Sequence, residues 1–112
     1  MSCKIIPTPG FQRDVKYLKK KYRHIISDLN EFNTILGDNP LYGEEIPGLE
    51  GKVLKARLAS SDMKSGKSKS YRILYYFMEQ ESTIYLLTIY AKAYIENISI
   101  AEIKNIISKY GL

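Results

Sequence analysis

The fold is decided by residues 52–91, which read KVLKARLASSDMKSGKSKSYRILYYFMEQESTIYLLTIYA. Polar and apolar residues alternate from Lys52 to Ala59, and large apolar and aromatic residues fill Tyr71 to Met78, so both segments are predicted strands. Thr83 to Ala91 is a third predicted strand, and its nearly continuous apolar run favours a central position covered on both faces. These residues therefore predict three consecutive strands of one sheet.

The first two strands carry their cations on one predicted face. Side chains alternate along a strand, so Lys55 and Arg57 share a face with Val53, opposite to Leu54, Ala56 and Leu58. Arg72 should lie near them on the neighbouring antiparallel strand. The polar loop between the two strands carries three further lysines, Lys64, Lys67 and Lys69. The pattern predicts a fixed cationic surface beside a basic loop.

The N-terminal part is predicted to contain one strand and then helical structure. Cys3 to Pro7 is short and apolar, and Thr8 with Pro9 suits the N-cap and first position of a helix. Apolar residues then recur at helical spacing from Phe11 to Leu36. A hairpin of two helices and one kinked helix both fit this pattern.

The C-terminal part has clear signals for a last helix. Ser99 and Glu102 form a capping box, and Gly111 suits the end of the helix. The predicted order is β-α-α-β-β-β-α. This order indicates an α+β fold with a small, mostly antiparallel sheet, an N-terminal helical hairpin and a C-terminal helix.

Composition narrows the functional classes. The chain has 112 residues, of which 45% are hydrophobic, and this predicts a single domain over residues 1–112. It has neither a membrane-spanning apolar run nor a signal peptide, so we expect a cytoplasmic protein that does not bind membranes. One cysteine, Cys3, and one histidine, His24, cannot supply a zinc site. No metal or other cofactor is expected.

The charge is unevenly distributed along the chain. Residues 52–72 carry seven lysines and arginines against Asp62 alone, and residues 13–24 form a second basic cluster, whereas residues 28–50 hold acids and no base. A concentrated positive field favours a phosphate-rich partner. The structural alternative is that the cations pair with the acids of residues 44–50, although exposed ion pairs stabilise a protein only weakly.

Lys55, Arg57 and Arg72 suggest RNA cleavage as well as binding. Metal-free cleavage needs a base for the 2′-hydroxyl, an acid for the leaving 5′-oxygen, and positive charge at the phosphate. A mechanism with two histidines is excluded because His24 is the only histidine. Lysines with lowered pKa values, together with arginine and tyrosine, would have to do this work.

Four segments resemble one family of proteins. They are KARLASSDM at Lys55–Met63, GKS at Gly66–Ser68, YRILYY at Tyr71–Tyr76 and IYLLTIYAK at Ile84–Lys92. Together with the element order, they resemble the RelE/ParE-superfamily toxins of bacterial type II toxin–antitoxin systems, with HigB-type and related RelE toxins as the most similar branch. The resemblance covers nearly the whole chain and is strongest from Lys52 to Lys92.

The resemblance implies a ribosome-dependent endoribonuclease, or mRNA interferase. A protein of this kind enters the ribosomal A site, cuts messenger RNA there and so inhibits translation, and a cognate antitoxin protein blocks it. By this resemblance Arg57 and Arg72 hold the scissile phosphate, and Lys55 is a candidate proton acceptor.

The chain departs from the family pattern after its last strand. RelE has an arginine there and a tyrosine in the following helix, whereas this chain has Lys92 and Tyr94, with Ser99 at the tyrosine position. Lys92 and Tyr94 are therefore the candidate substitutes in catalysis. The resemblance also implies that the loop lysines Lys64, Lys67 and Lys69 bind the backbone of ribosomal or messenger RNA.

Three other interpretations fit the sequence, and one of them is a degenerate, inactive toxin that is kept for its complex with another protein. A ParE-like inhibitor of DNA gyrase would share the fold without an RNA-cutting site, and retention of Lys55, Arg57 and Arg72 favours RelE over it. A non-catalytic RNA-binding module would be expected to expose aromatic residues for base stacking. The strand tyrosines are instead predicted to be core residues.

Overall fold

The computed structural model describes residues 3–49, 51–63, 70–92 and 98–112. Its strands and helices follow the predicted order, with one added short strand. They are β1 (Lys4–Pro7), α1 (Pro9–Lys19), α2 (Ile25–Asp38), β2 (Glu44–Glu45), β3 (Lys52–Ala59), β4 (Ser70–Met78), β5 (Thr83–Ala91) and α3 (Ile100–Lys109), with a 3₁₀ turn at Glu79–Glu81. The α+β fold class is confirmed. The N-terminal helical pattern forms two helices and not one kinked helix.

The strands form one sheet in the order β1-β5-β4-β3-β2. All neighbouring pairs are antiparallel except β1 with β5, so the predicted mostly antiparallel sheet is confirmed. β5 lies between β1 and β4, which agrees with its continuous apolar sequence. The two-residue strand β2 was not predicted, because two residues are too short to show a period of two.

Each face of the sheet has its own apolar core. On one face, α1 and α2 pack on the sheet through a cluster that includes Leu18, Phe32, Tyr71 and Tyr75. On the other face, Ile103 of α3 packs against strand side chains, namely Val53, Leu74 and Leu87. The cationic side chains of β3 and β4 lie on this second face, in line with the apolar residues that α3 covers.

An irregularity in β5 brings a tyrosine opposite a site arginine. The β4–β5 register shifts between Leu74 and Tyr75, and Leu87 is the additional residue on β5. Beyond this bulge, Arg72 pairs with Tyr90. Tyr90 is therefore a core residue, as predicted for the strand tyrosines, and also a neighbour of the cationic surface.

The helix-end predictions are confirmed. The Thr8 side chain accepts a hydrogen bond from Phe11 N, and Ser99 Oγ accepts one from Glu102 N at 3.2 Å. Gly111 adopts a φ of 69°, which suits glycine at a helix end. Within the part of the chain that the structure describes, no helix is both long and apolar enough to span a bilayer.

Candidate nucleic-acid interface

Four of the predicted site residues surround one groove on the sheet. Lys55 and Arg57 come from β3, Arg72 from β4 and Lys92 from the residue after β5. They line a depression of about 580 Å³. Arg57 lies directly opposite Arg72 in the strand register. The spacing of adjacent strands, about 4.8 Å, lets these side chains reach a common anion.

Lys55, Arg57 and Arg72 have no acidic partner among the described residues. The ion pairs found there are His24 with Asp62 and Lys52 with Glu79, and neither pair involves the three groove cations. The structural alternative, in which acids of residues 44–50 neutralise the cations, is therefore not seen for the described acids. A groove with unneutralised cations and a concave shape fits an anionic ligand.

Arg72 is the most enclosed arginine of the groove. Its guanidinium donates hydrogen bonds to Ser70 Oγ and to Tyr71 O, and its side chain is half-buried. Burial lowers the pKa of Arg72, and the Arg57 guanidinium opposite lowers it further. Arginine still keeps its charge at neutral pH, so two fixed positive groups face the same position.

Glu44 is a groove residue that the sequence interpretation missed. It lies directly opposite Lys55 in the β2–β3 pair, so both side chains are on the same face of the sheet. Gly43 makes this approach possible, because a Cβ atom there would come within 2.8 Å of Lys55 O. Its N–H also donates to the Tyr75 hydroxyl at 2.8 Å. The groove thus holds a carboxylate beside its cations.

Two carboxylates form hydrogen bonds that hold the start of the basic loop at the N-terminal part of α2. Asp28, which is 7% exposed, accepts hydrogen bonds from Ser61 N at 3.0 Å and from Ser61 Oγ. Asp62 accepts from His24 N and lies 2.7 Å from His24 Nδ1. His24 and Asp62 are 38 positions apart, so no local sequence pattern indicates this contact. The hydrogen bonds from His24 lower the pKa of Asp62 below its ordinary value.

Several predicted site residues lie outside the described part of the chain. They are Lys64, Lys67, Lys69 and Tyr94. Their roles stay predictions. Among the residues that are described, no cluster of His, Cys, Asp and Glu side chains is arranged to hold a metal ion.

Comparison with solved structures gives two toxins of similar fold. A double arginine-to-alanine mutant of Escherichia coli toxin RelE in its free state matches with a TM-score of 0.57 and 14% identity, over 86% of this chain and 90% of that chain. The chain has the RelE fold. The Mycobacterium tuberculosis toxin–antitoxin complex RelBE2 matches with a TM-score of 0.54 and 22% identity, over 80% of this chain and 96% of that chain. No protein-family model matches the sequence.

The comparison confirms the fold that the sequence resemblance implied. Both RelE-fold matches span most of each chain, so the sheet and its helices correspond as a whole. The narrower resemblance to HigB-type toxins stays a prediction. Within this RelE fold, the groove is the place where the predicted site residues of β3, β4 and the end of β5 converge.

Proposed function

We propose that this chain is the toxin of a bacterial type II toxin–antitoxin system and that it cuts messenger RNA on the ribosome. The observation that carries the proposal is the pairing of Arg57 with Arg72 across two strands, without an acid among the described residues to neutralise them. Two guanidinium groups that face one point suit the two non-bridging oxygens of a phosphodiester, which share its negative charge. The RelE fold agrees with this proposal.

The groove supplies part of the chemistry of metal-free RNA cleavage. The 2′-oxygen attacks phosphorus while the bond to the 5′-oxygen breaks, which leaves a cyclic phosphate and a 5′-hydroxyl. Arg57 and Arg72 stabilise the negative charge that develops on the phosphate in the transition state. This stabilisation is the largest contribution that the described residues make.

Proton transfer has more than one candidate in the groove. Lys55 is the proton acceptor that the family resemblance implies, and Glu44 lies directly opposite it. Glu44 adds a candidate that the sequence did not indicate, because a carboxylate oxygen can take up a proton directly, whereas a lysine ammonium group must first lose one. Lys92 and Tyr94 remain the proposed groups that protonate the leaving 5′-oxygen.

The proposed partners follow from the same groove. A site built mainly of arginine and lysine is a weak general acid–base catalyst, so it gains from a substrate held in position by the ribosome. The loop lysines Lys64, Lys67 and Lys69 would contact RNA backbone on either side. The RelBE2 structure is a complex of toxin and antitoxin, and we propose a cognate antitoxin for this chain also.

Induction of the full chain in bacteria tests the proposal. We expect growth arrest, relief of the arrest by Arg72→Ala, and restoration of growth by co-expression of a small protein encoded next to the toxin gene. Arg13→Ala is the matched control, because Arg13 is an exposed arginine on α1 and does not line the groove. Arrest that persists in Arg72→Ala would contradict the proposed role of the groove.

A further inference from the structure

A second cavity lies between the end of α1 and the end of β5. It has a volume of about 670 Å³ and is separate from the cationic groove. Its walls combine aromatic, apolar and basic side chains, including Tyr17, Lys20, Tyr22, Ile89 and Tyr90. β1 pairs only with Thr83 to Leu86, so this part of β5 lies beyond the end of β1.

Tyr90 connects this cavity to the cationic groove. Tyr90 lies directly opposite Arg72, which lines the groove, and Tyr90 is also among the residues that line the second cavity. The row Arg57, Arg72, Tyr90 crosses three adjacent strands, so it spans roughly 10 Å at about 4.8 Å per strand. The second cavity therefore borders the strand that lies next to Arg72.

The aromatic side chains of the cavity suit a flat ring. Tyr17 is 75% exposed although it is a large aromatic residue, while Tyr22 and Tyr90 are buried in the wall. An exposed aromatic ring beside an apolar wall is a platform on which an unpaired base stacks. Among the described lining residues the carboxylate is that of Asp14, which accepts a hydrogen bond from the Thr88 hydroxyl at 2.6 Å.

The charge around the cavity indicates what kind of ligand carries the ring. Two lysines of the basic cluster at residues 13–24, Lys20 and Lys21, line the cavity, and Lys20 is exposed. The basic side chains of this cluster are Arg13, Lys16, Lys19, Lys20, Lys21 and Arg23. A cationic rim around an aromatic wall complements a nucleotide, which joins a flat base to a negative phosphate.

We infer that this cavity is a base-binding subsite for the RNA nucleotide next to the phosphate held by Arg57 and Arg72. The inference rests on the proposed function. The base stacks on Tyr17 against the wall that Tyr22 and Tyr90 form, and Lys20 attracts the backbone phosphate. Lys20, a member of the basic cluster at residues 13–24, thereby gains a role in substrate binding beyond keeping a helix soluble.

The test compares two RNA chains that differ only in their bases. One is a fluorescein-labelled hexamer of 2′-O-methyl adenylate, and the other is the same hexamer with hydrogen in place of each base. The 2′-O-methyl group removes the attacking hydroxyl, so neither chain is cut. Fluorescence anisotropy with the full protein gives the affinity for each.

We expect the wild type to bind the adenylate hexamer about 5- to 100-fold more tightly than the baseless one, since stacking of a base on an aromatic residue has that effect. Tyr17→Ala should abolish most of this preference, whereas the matched variant Tyr17→Phe should keep it, because phenylalanine still stacks. Arg57→Gln should weaken both RNA chains alike and leave the preference intact.

Three results would overturn the inference. They are equal affinity of the wild type for both chains, a preference that survives Tyr17→Ala, and failure of the adenylate hexamer to bind. Tyr17→Ala could still prefer the adenylate hexamer over the baseless one and yet fail to bind a co-expressed antitoxin. That result would show that the cavity binds a protein and not a base. Failure of the proposed function looks different: Arg57→Gln would then bind both chains like the wild type.

Discussion

Arg57 on β3 lies directly opposite Arg72 on β4, in a register that the two strands keep along their whole length. Like charges placed opposite each other across a sheet destabilise it. Among the described residues, no carboxylate forms an ion pair with either arginine. The folded protein therefore keeps a repulsive pair at the centre of its groove, and an anionic ligand would relieve the repulsion.

Neutralising one arginine of the pair should stabilise the fold. We expect Arg57→Gln to raise the free energy of unfolding by up to about 1 kcal/mol, and the gain should shrink in about 1 M salt, where charges are screened. Urea denaturation at low and high salt measures both effects. Lys55→Gln is the control, because Lys55 faces the uncharged Leu74 on one side and the acidic Glu44 on the other, so its neutralisation should give no gain. A destabilised Arg57→Gln protein would contradict the repulsive pair.

The loop anchor on α2 should be costly to break. Ser61→Ala removes one of the two hydrogen bonds that the buried Asp28 carboxylate accepts, and we expect a loss of about 1–3 kcal/mol in unfolding free energy. Ser27→Ala is the matched control on the exposed side of α2 and should lie within about 0.5 kcal/mol of the wild type. Thermal and urea unfolding of the wild type, Ser61→Ala and Ser27→Ala measure these free energies. Equal stability of all three proteins would show that the hydrogen bonds between Ser61 and Asp28 do not stabilise the fold.

The second anchor should make the loop attachment depend on pH. Because the hydrogen bonds from His24 lower the pKa of Asp62 in the folded protein, the ionised carboxylate stabilises the fold above the ordinary value of 3.8. That contribution should be lost as the pH falls through the lowered pKa. The difference in urea midpoint between the wild type and Asp62→Asn should therefore shrink as the pH falls below the ordinary value of 3.8. A difference that grows in acid would have the wrong sign for this account.

The sequence was most informative where side chains alternate along a strand or where a capping residue marks the start of a helix. Alternation along β3 and β4 correctly put Lys55, Arg57 and Arg72 on one face, and the capping residues correctly located the starts of α1 and α3. These signals are local, so a single sequence contains them in full.

The parts that the sequence did not predict depend on distant contacts. Glu44 reaches the groove through a two-residue edge strand, which has no detectable period. The contact of His24 with Asp62 joins residues 38 positions apart, and Tyr90 reaches Arg72 only because of the bulge at Leu87. Each depends on how elements pack together, and that packing leaves no spacing signal in the chain.

The most direct measurement of the central claim is primer extension on a messenger RNA translated by purified ribosomes with the full chain present. We predict breaks within the translated codons that require ribosomes and that fall about 100-fold or more in Arg72→Gln, since removing one group that stabilises transition-state charge has this effect. Arg13→Gln should still cut. An intact messenger RNA with the wild-type chain, together with DNA breaks when gyrase is supplied, would contradict RNA cleavage and support gyrase inhibition.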